Sequence, residues 1–345
     1  MAHATFLAAL GFFVSLLPGQ SPARKTDGAL NQDVISTPFL YQIDGKGTSG
    51  FLYGTVHLPD KRVVTLPVSV VAAFDGSDRF YAEIEATPES EARGQAAAQL
   101  PAGVKLPQLV GADTWSRIEG QFIKAGYPAA MASALSGMEP WAVSSLLPMI
   151  DYLAELQTNP PLDKMLYQRA AADGKAVAGL ETIEEQLSVF QGFSRDEQVT
   201  MLRDSLDLLD KYEAEGRKVM EEMIAAWMSG DSKTLVSLLD DGFGNDPEIR
   251  ERAEDEILWK RNHRFAERIE SEMSAHPDKT SFFAIGALHL PDAPAAEVGP
   301  DAPLTNDATP ESRPAQLGVV ELMRRRGYTV TRVEARKPEP AKAGK

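Results

Sequence analysis

Residues 51–60 read Phe-Leu-Tyr-Gly-Thr-Val-His-Leu-Pro-Asp, and residues 283–292 read Phe-Ala-Ile-Gly-Ala-Leu-His-Leu-Pro-Asp. Each copy is an apolar run leading into glycine, two further residues, a histidine and then Leu-Pro-Asp. The chain has only five histidines, so a matched pair at opposite ends is not the clustering of a His-rich protein. The copies lie too far apart for a tandem array. Short apolar runs that end in a turn read as strands. Two such strand ends, Gly54 to His57 and Gly286 to His289, place one imidazole each at the carboxyl edge of a sheet, where open α/β sheets bind ligands.

The surrounding chain fits that frame. Residues 39–43 and 51–53 flank a glycine-rich stretch, 44–50, and read as a hairpin. Its Gly-Lys-Gly-Thr-Ser-Gly core has neither the spacing nor the strand-to-helix setting of a phosphate loop. A short helix is expected over 65–75 and a strand over 79–85. From about 88 to 275 the pattern is mostly helical, interrupted by one strand, 175–180, and by Thr182-x-x-Glu185, a capping box. Asp246-Pro247 reads as the start of a charged helix that runs to about 273. The last elements are a helix over 317–326, Gly327 as its C-cap, and a strand over 328–333. Strands separated by helices give an α/β (α+β) class: a small central sheet with a large helical insertion. One domain, residues 36–336, then closes around both ends of the chain, with a linker-like Pro/Ala/Asp tract at 293–315.

Composition is that of a globular protein, 43% apolar and 25% charged. Residues 1–23 read as a signal peptide: an uncharged apolar run, 6–19, followed by Ser21-Pro22-Ala23. Residues 24–35 and 337–345 are expected to be disordered. The reading is export to the periplasm, with no stable membrane insertion once the leader is removed. The absence of cysteine excludes a lipid-modified N-terminus, thiolate metal ligands and a cysteine nucleophile. A net charge of −15 argues against nucleic acid as a partner. Oligomeric state has no signature here.

Few residues can carry chemistry. His57 and His289 suit a divalent transition metal or general-base work. Gly54 and Gly286 allow a sharp turn or a close approach. Alternation over 80–85 puts Glu83 and Glu85 on one strand face, a pattern that a solvated edge strand would also show. Glu181 ends a third apolar strand. Arg261 and Asn262 lie on the charged helix, and Asn262 falls in the apolar stripe of Leu258, Phe265 and Ile269. His263 is expected at the surface and His276 in a loop. No His-Glu-x-x-His or Gly-x-Ser-x-Gly motif is present, so hydrolysis would need a water activated by a metal or a histidine.

At these residues the sequence resembles the TraB/GumN (PrgY/Tiki-like) family, marked by two G-x-x-H motifs and a glutamate. The likeness covers Tyr53 to His57, Glu83, Pro140-Trp141, Leu162-Asp163 and Gly174 to Gln186. It continues through Trp227, Gly230-Asp231, Arg261-Asn262, Gly286 to Leu290 and Arg326-Gly327-Tyr328. The departures are the longer tract after the second histidine and Glu85, where Glu-x-Asp is common. The resemblance implies an erythromycin esterase/ChaN-like fold and, from animal Tiki relatives, metal-dependent proteolysis. That gives an expected site of His57, His289 and Glu83 on Mn, Co or Zn, with Glu83 as ligand or base on metal-bound water. Arg261 and Asn262 would bind the substrate carbonyl or oxyanion, and Glu181 would orient a histidine. The expected function is an exported metal-dependent hydrolase of peptides or another small substrate. The alternatives are a non-catalytic binder of haem, metal or peptide, and a metal-free esterase with a histidine base.

Overall fold

The computed structural model describes residues 35, 37–240, 244–292 and 314–334. The leader, the tail from 337 and nearly all of the 293–315 tract therefore lie outside the described residues. Of the segment 24–35, Ile35 is described and is buried in the core.

Six strands form one mixed sheet in the order β4-β3-β5-β2-β1-β6. They are β1 (Leu40–Gly45), β2 (Thr48–Thr55), β3 (Arg79–Ala82), β4 (Ala176–Gly179), β5 (Thr280–Gly286) and β6 (Thr329–Arg332). The hairpin forms with a tighter turn than the glycine run suggests. Only Lys46 and Gly47 stand between the paired Gly45 and Thr48, and both have positive φ (52° and 78°). Two left-handed residues give the twist that joins antiparallel strands directly.

β2, β5, β3 and β4 run parallel, so their carboxyl ends share one edge of the sheet. This arrangement makes the site. The two motif copies become β2 and β5, hydrogen-bonded neighbours with Gly54 opposite Ile285 and Thr55 opposite Gly286. Between β3 and β5 the described residues are almost wholly helical, with β4 as their one return to the sheet. The expected capping box at Thr182 and Glu185 is formed in full. Asp246 caps the charged helix, which runs Pro247–Glu254, passes through a π turn at Asp255–Trp259 and continues as Lys260–Ala275.

The helical insertion also grips the sheet edge. Trp227, on the helix Val219–Ser229, donates from Nε1 to the carbonyl of Gly54 at 2.8 Å. Its ring packs near that of Tyr53, at the carboxyl end of β2.

Candidate active site

Each of the four parallel strands delivers one polar side chain just beyond its carboxyl end: His57 after β2, Glu83 after β3, Glu181 after β4 and His289 after β5. All four are buried. The geometry follows from backbone pairing. Leu180 donates to the carbonyl of Ala82 and Glu181 to that of Glu83, at 2.8 and 2.7 Å, so the two glutamates are register neighbours past the ends of their strands.

β3 stops at Ala82, three residues short of the expected end, and this corrects the reading of Glu83 and Glu85 as partners on one strand face. The chain bends at Glu83 and Ile84, so period-two alternation lapses. Glu83 turns inward and Glu85 is exposed. The bend is held by the backbone N–H of Gly286, which donates to Glu83 Oε1 at 2.6 Å.

Nε2 of His57 lies 4.0 Å from Glu83 Oε1, and Nε2 of His289 lies 3.8 Å from the same oxygen. The two far-separated histidines thus face one carboxylate. Their outer nitrogens are fixed by different partners. His57 Nδ1 is 2.9 Å from Asp163 Oδ1, at the first turn of the helix Leu162–Ala172. His289 Nδ1 is 2.6 Å from Asn262 Oδ1, and Asn262 donates through Nδ2 to the carbonyl of Leu317 at 2.9 Å. That second bond fixes the amide, so Asn262 presents oxygen to the ring and His289 carries its proton on Nδ1. In both rings Nε2 is the nitrogen left for the centre of the site.

Arg261, expected to bind a substrate carbonyl or oxyanion, lies inside the site wall, 0% exposed and fully engaged. Nη2 donates to Glu83 Oε2 at 2.7 Å and to Glu181 Oε1; Nε donates to Glu181 as well, at 3.1 and 3.2 Å. Nη1 donates to the carbonyl of Ile257 at 3.2 Å and lies 3.3 Å from His289 Nε2. The preceding π turn frees carbonyls from the ordinary helical pattern, and Ile257 lies within it. Glu181, expected to orient a histidine, holds Arg261 instead, with Gln186 bridging to both glutamates at 3.2 and 3.3 Å.

These neighbours set the charges. Burial opposes ionisation of Glu83, but Arg261, the two imidazoles and the Gly286 N–H outweigh it and hold the carboxyl down at about 2. Burial also opposes a charge on His57, yet Asp163 and Glu83 overcome it and raise the ring to about 9. His289 has no acidic partner on Nδ1. Burial and the adjacent Arg261 push it down to about 3.

The two motif glycines differ in purpose. A Cβ on Gly286 would sit 3.1 Å from Glu83 Oε1, 3.5 Å from His57 Nε2 and 3.4 Å from His289 Cδ2. The missing side chain therefore leaves the small gap around which the three donors stand. A Cβ on Gly54 would instead strike Leu290 Cδ1 at 2.6 Å and Ala287 Cα at 3.0 Å. Gly54 lets β2 approach the second motif; Gly286 keeps the centre open.

A divalent metal fits this donor set in type and reach. Metal bonds to imidazole and carboxylate are about 2.0–2.2 Å long, so one ion can span a donor separation of up to about 4.2 Å. The two N-to-O separations fall inside that limit, and each imidazole has a side-chain oxygen within 2.9 Å of its outer nitrogen, the kind of partner that orients metal-ligating histidines. Among the described residues no three such side chains are already drawn into a metal cage. Closing one needs Arg261 Nη1 to leave the lone pair of His289, and Ile257 O already offers it a place.

Sequence reading brought together His57, His289, Glu83, Glu181, Arg261 and Asn262, and all meet here. It gave no role to Asp163 or Gln186, although both fall within the stretches shared with the family. The signal for Asp163 was an acidic residue in a helical first turn directly after Pro160-Pro161. His263, expected at the surface, is 0% exposed and places Nε2 3.0 Å from the carbonyl of Ala315. The chain returning after residue 313 covers that face of the helix. His276 is the loop residue expected.

A parallel sheet edge bearing two histidines, two glutamates and a buried arginine defines a class: an α+β protein with a polar centre at the carboxyl ends of its strands. The chain belongs to the TraB/PrgY/gumN family, whose model matches residues 39–294. It is 25% identical over 312 residues to the Metalloprotease TIKI homolog of Nematostella vectensis, covering 78% of this chain and 66% of that protein. It is 25% identical over 345 residues to Metalloprotease TIKI1 of Danio rerio, covering 89% and 65%. The human Metalloprotease TIKI1 is 24% identical over 369 residues, covering 94% and 68%. The chain thus spans about two thirds of the length of these relatives. No solved structure shows a significant match.

Proposed function

We propose that this protein is a metal-dependent hydrolase that cleaves peptides, working after export to the periplasm. The observation that carries the reading is the convergence of His57 Nε2, His289 Nε2 and Glu83 Oε1 around the gap left by Gly286. The relatives named as metalloproteases support it. His57, His289 and Glu83 would hold the ion, which when bound supplies Lewis-acid polarisation of a carbonyl and a more acidic water. Mn, Co and Zn all suit such nitrogen and oxygen donors.

The chain's own groups do the rest. Glu83 stays ionised, so Oε1 serves either as a ligand to the ion or as the acceptor that orients attacking water, while Arg261 holds Oε2 and so fixes which oxygen faces the centre. Asp163 and Asn262 keep both rings turned inward. Burial excludes bulk water and strengthens each of these contacts.

A second reading rests on a specific contact. Arg261 Nη1 lies 3.3 Å from His289 Nε2 and occupies the lone pair a metal would use. In that reading the neutral His289 and the charged His57 divide base and acid roles without a metal, as in an esterase.

The test is metal analysis of the purified protein beside His57→Ala and His289→Ala, with cleavage of a peptide library under added Mn, Co or Zn. Stoichiometric metal in the wild type, lost in both variants, with chelator-sensitive cleavage, supports the proposal. Cleavage that survives a chelator selects the metal-free reading. Neither metal nor cleavage refutes both.

A further inference from the structure

The repeated stretch does not stop at histidine. Both copies continue Leu-Pro-Asp, and the roles described so far leave this half of the motif unused. The structure gives the two aspartates matching positions. Asp60 caps the helix Lys61–Val64, accepting the N–H of Arg62 at 2.8 Å. Asp292 accepts the N–H of Gly318 at 2.8 Å, and Gly318 is the N-cap residue of the helix Val319–Arg325. Each aspartate, three residues past its histidine, takes a backbone N–H at the start of a helix that follows it in the chain.

Both anchors reach further. The Asp60 carboxylate also accepts from Arg62 Nε and Nη2, at 2.9 and 2.8 Å. Arg62 pairs with Glu221 of the helix Val219–Ser229 at 2.8 and 3.1 Å. Tyr152 donates to the same Glu221 at 2.6 Å. The turn after His57 is thereby tied to the helix whose Trp227 holds Gly54. On the other side, Asp292 and Gly318 join the chain before and after residues 293–317. The fit there is close: a Cβ on Gly318 would fall 2.0 Å from the carbonyl oxygen of Leu290, the residue after His289.

We infer that Asp60 and Asp292 are positioning residues, each fixing the turn that carries its own motif histidine so that its ring faces the shared centre. The inference rests on the proposed joint use of the two imidazoles and adds what holds each from its C-terminal side. The backbone needs such anchors because the histidine turns differ. Leu58 N bonds to Val56 O at 2.8 Å, a three-residue turn centred on His57. His289 ends a 3-10 turn, with a longer bond of 3.3 Å from Leu290 N to Ala287 O. Neither turn is long enough to fix a ring by itself, and a ligand that must sit within a fraction of an ångström depends on its supports.

The test reads the imidazole signals of the metal-free protein by long-range proton–nitrogen NMR, assigned with His57→Gln and His289→Gln. Asp60→Ala should move the His57 signals and leave those of His289. Asp292→Ala and Gly318→Ala should do the converse. Asp60→Asn and Asp292→Asn, which keep an acceptor for the backbone N–H, should move the same ring by less, and they carry the test if the alanine variants do not fold: a shift at the other ring, or at both alike, overturns the inference. Signals unmoved in folded Asp60→Ala and Asp292→Ala, or both rings moving alike in each, overturn the inference. Cobalt affinity of the same proteins should fall by at least about tenfold in the alanine variants. A wild type that binds no cobalt counts against the metal reading, while the imidazole signals still decide the anchors.

Discussion

Arg261 and Glu83 form a buried ion pair, 2.7 Å from Nη2 to Oε2, in the wall of the donor cradle. The same guanidinium holds Glu181, so one cation is shared between two buried carboxylates. Arg261→Met would leave both charges buried without their partner, and a broken buried pair costs about 3–5 kcal/mol. Arg261→Lys should recover little, because an ammonium cannot span both carboxylates in a fork. Urea denaturation of the three proteins checks this, and a loss under about 1 kcal/mol in Arg261→Met would contradict the buried network.

The histidines predict two opposite pH windows for stability of the metal-free protein. His57 has a folded pKa raised from 6.5 to about 9, so its contribution is complete below 6.5 and lost as pH rises through 9. His289 is lowered from 6.5 to about 3, so its contribution is present above 6.5 and lost as pH falls toward 3. Glu83, lowered from 4.5 to about 2, steepens the acid side between those values. In urea titrations across pH, His57→Gln should flatten the alkaline limb and, by releasing Glu83, weaken the acid limb slightly, whereas His289→Gln should change the acid limb and leave the alkaline one.

The two glycines should separate binding from folding. Gly286→Ala fills the gap between the donors, so metal content should drop sharply while the melting temperature changes little. Gly54→Ala forces a Cβ against Leu290 and the Ala287 backbone, an overpacking worth about 1–3 kcal/mol. Thermal melts and metal analysis of both variants decide it; equal effects on both measures would remove the distinction.

Asp163 offers a direct check on the orientation of His57. Its Oδ1 lies 2.9 Å from Nδ1, and removing such a partner lowers metal affinity by about 10–100-fold. Asp163→Ala should show that loss in competition with a coloured chelator, and Asp163→Asn a smaller one. Unchanged affinity in Asp163→Ala would mean that Asp163 does not orient His57 for metal binding.

Much of this was written in the chain itself. The duplicated Gly-x-x-His stretches, strands by their apolar runs, specified a shared carboxyl edge, and helical periodicity specified the large insertion. The capping box at Thr182 and the cap at Asp246 follow from local hydrogen bonding and form as read. Asn262 betrayed itself by breaking an apolar stripe, because a polar group on a buried face must find a partner. What only tertiary structure decided is which charges meet. The β3 bend at Glu83, the turning of Arg261 onto two glutamates and the pairing of His57 with Asp163 depend on elements distant in sequence. Periodicity assigns a residue to a face of its own strand or helix. It carries no information about which other element arrives there, and the charged neighbours met there, acting with burial, set the charge of each group.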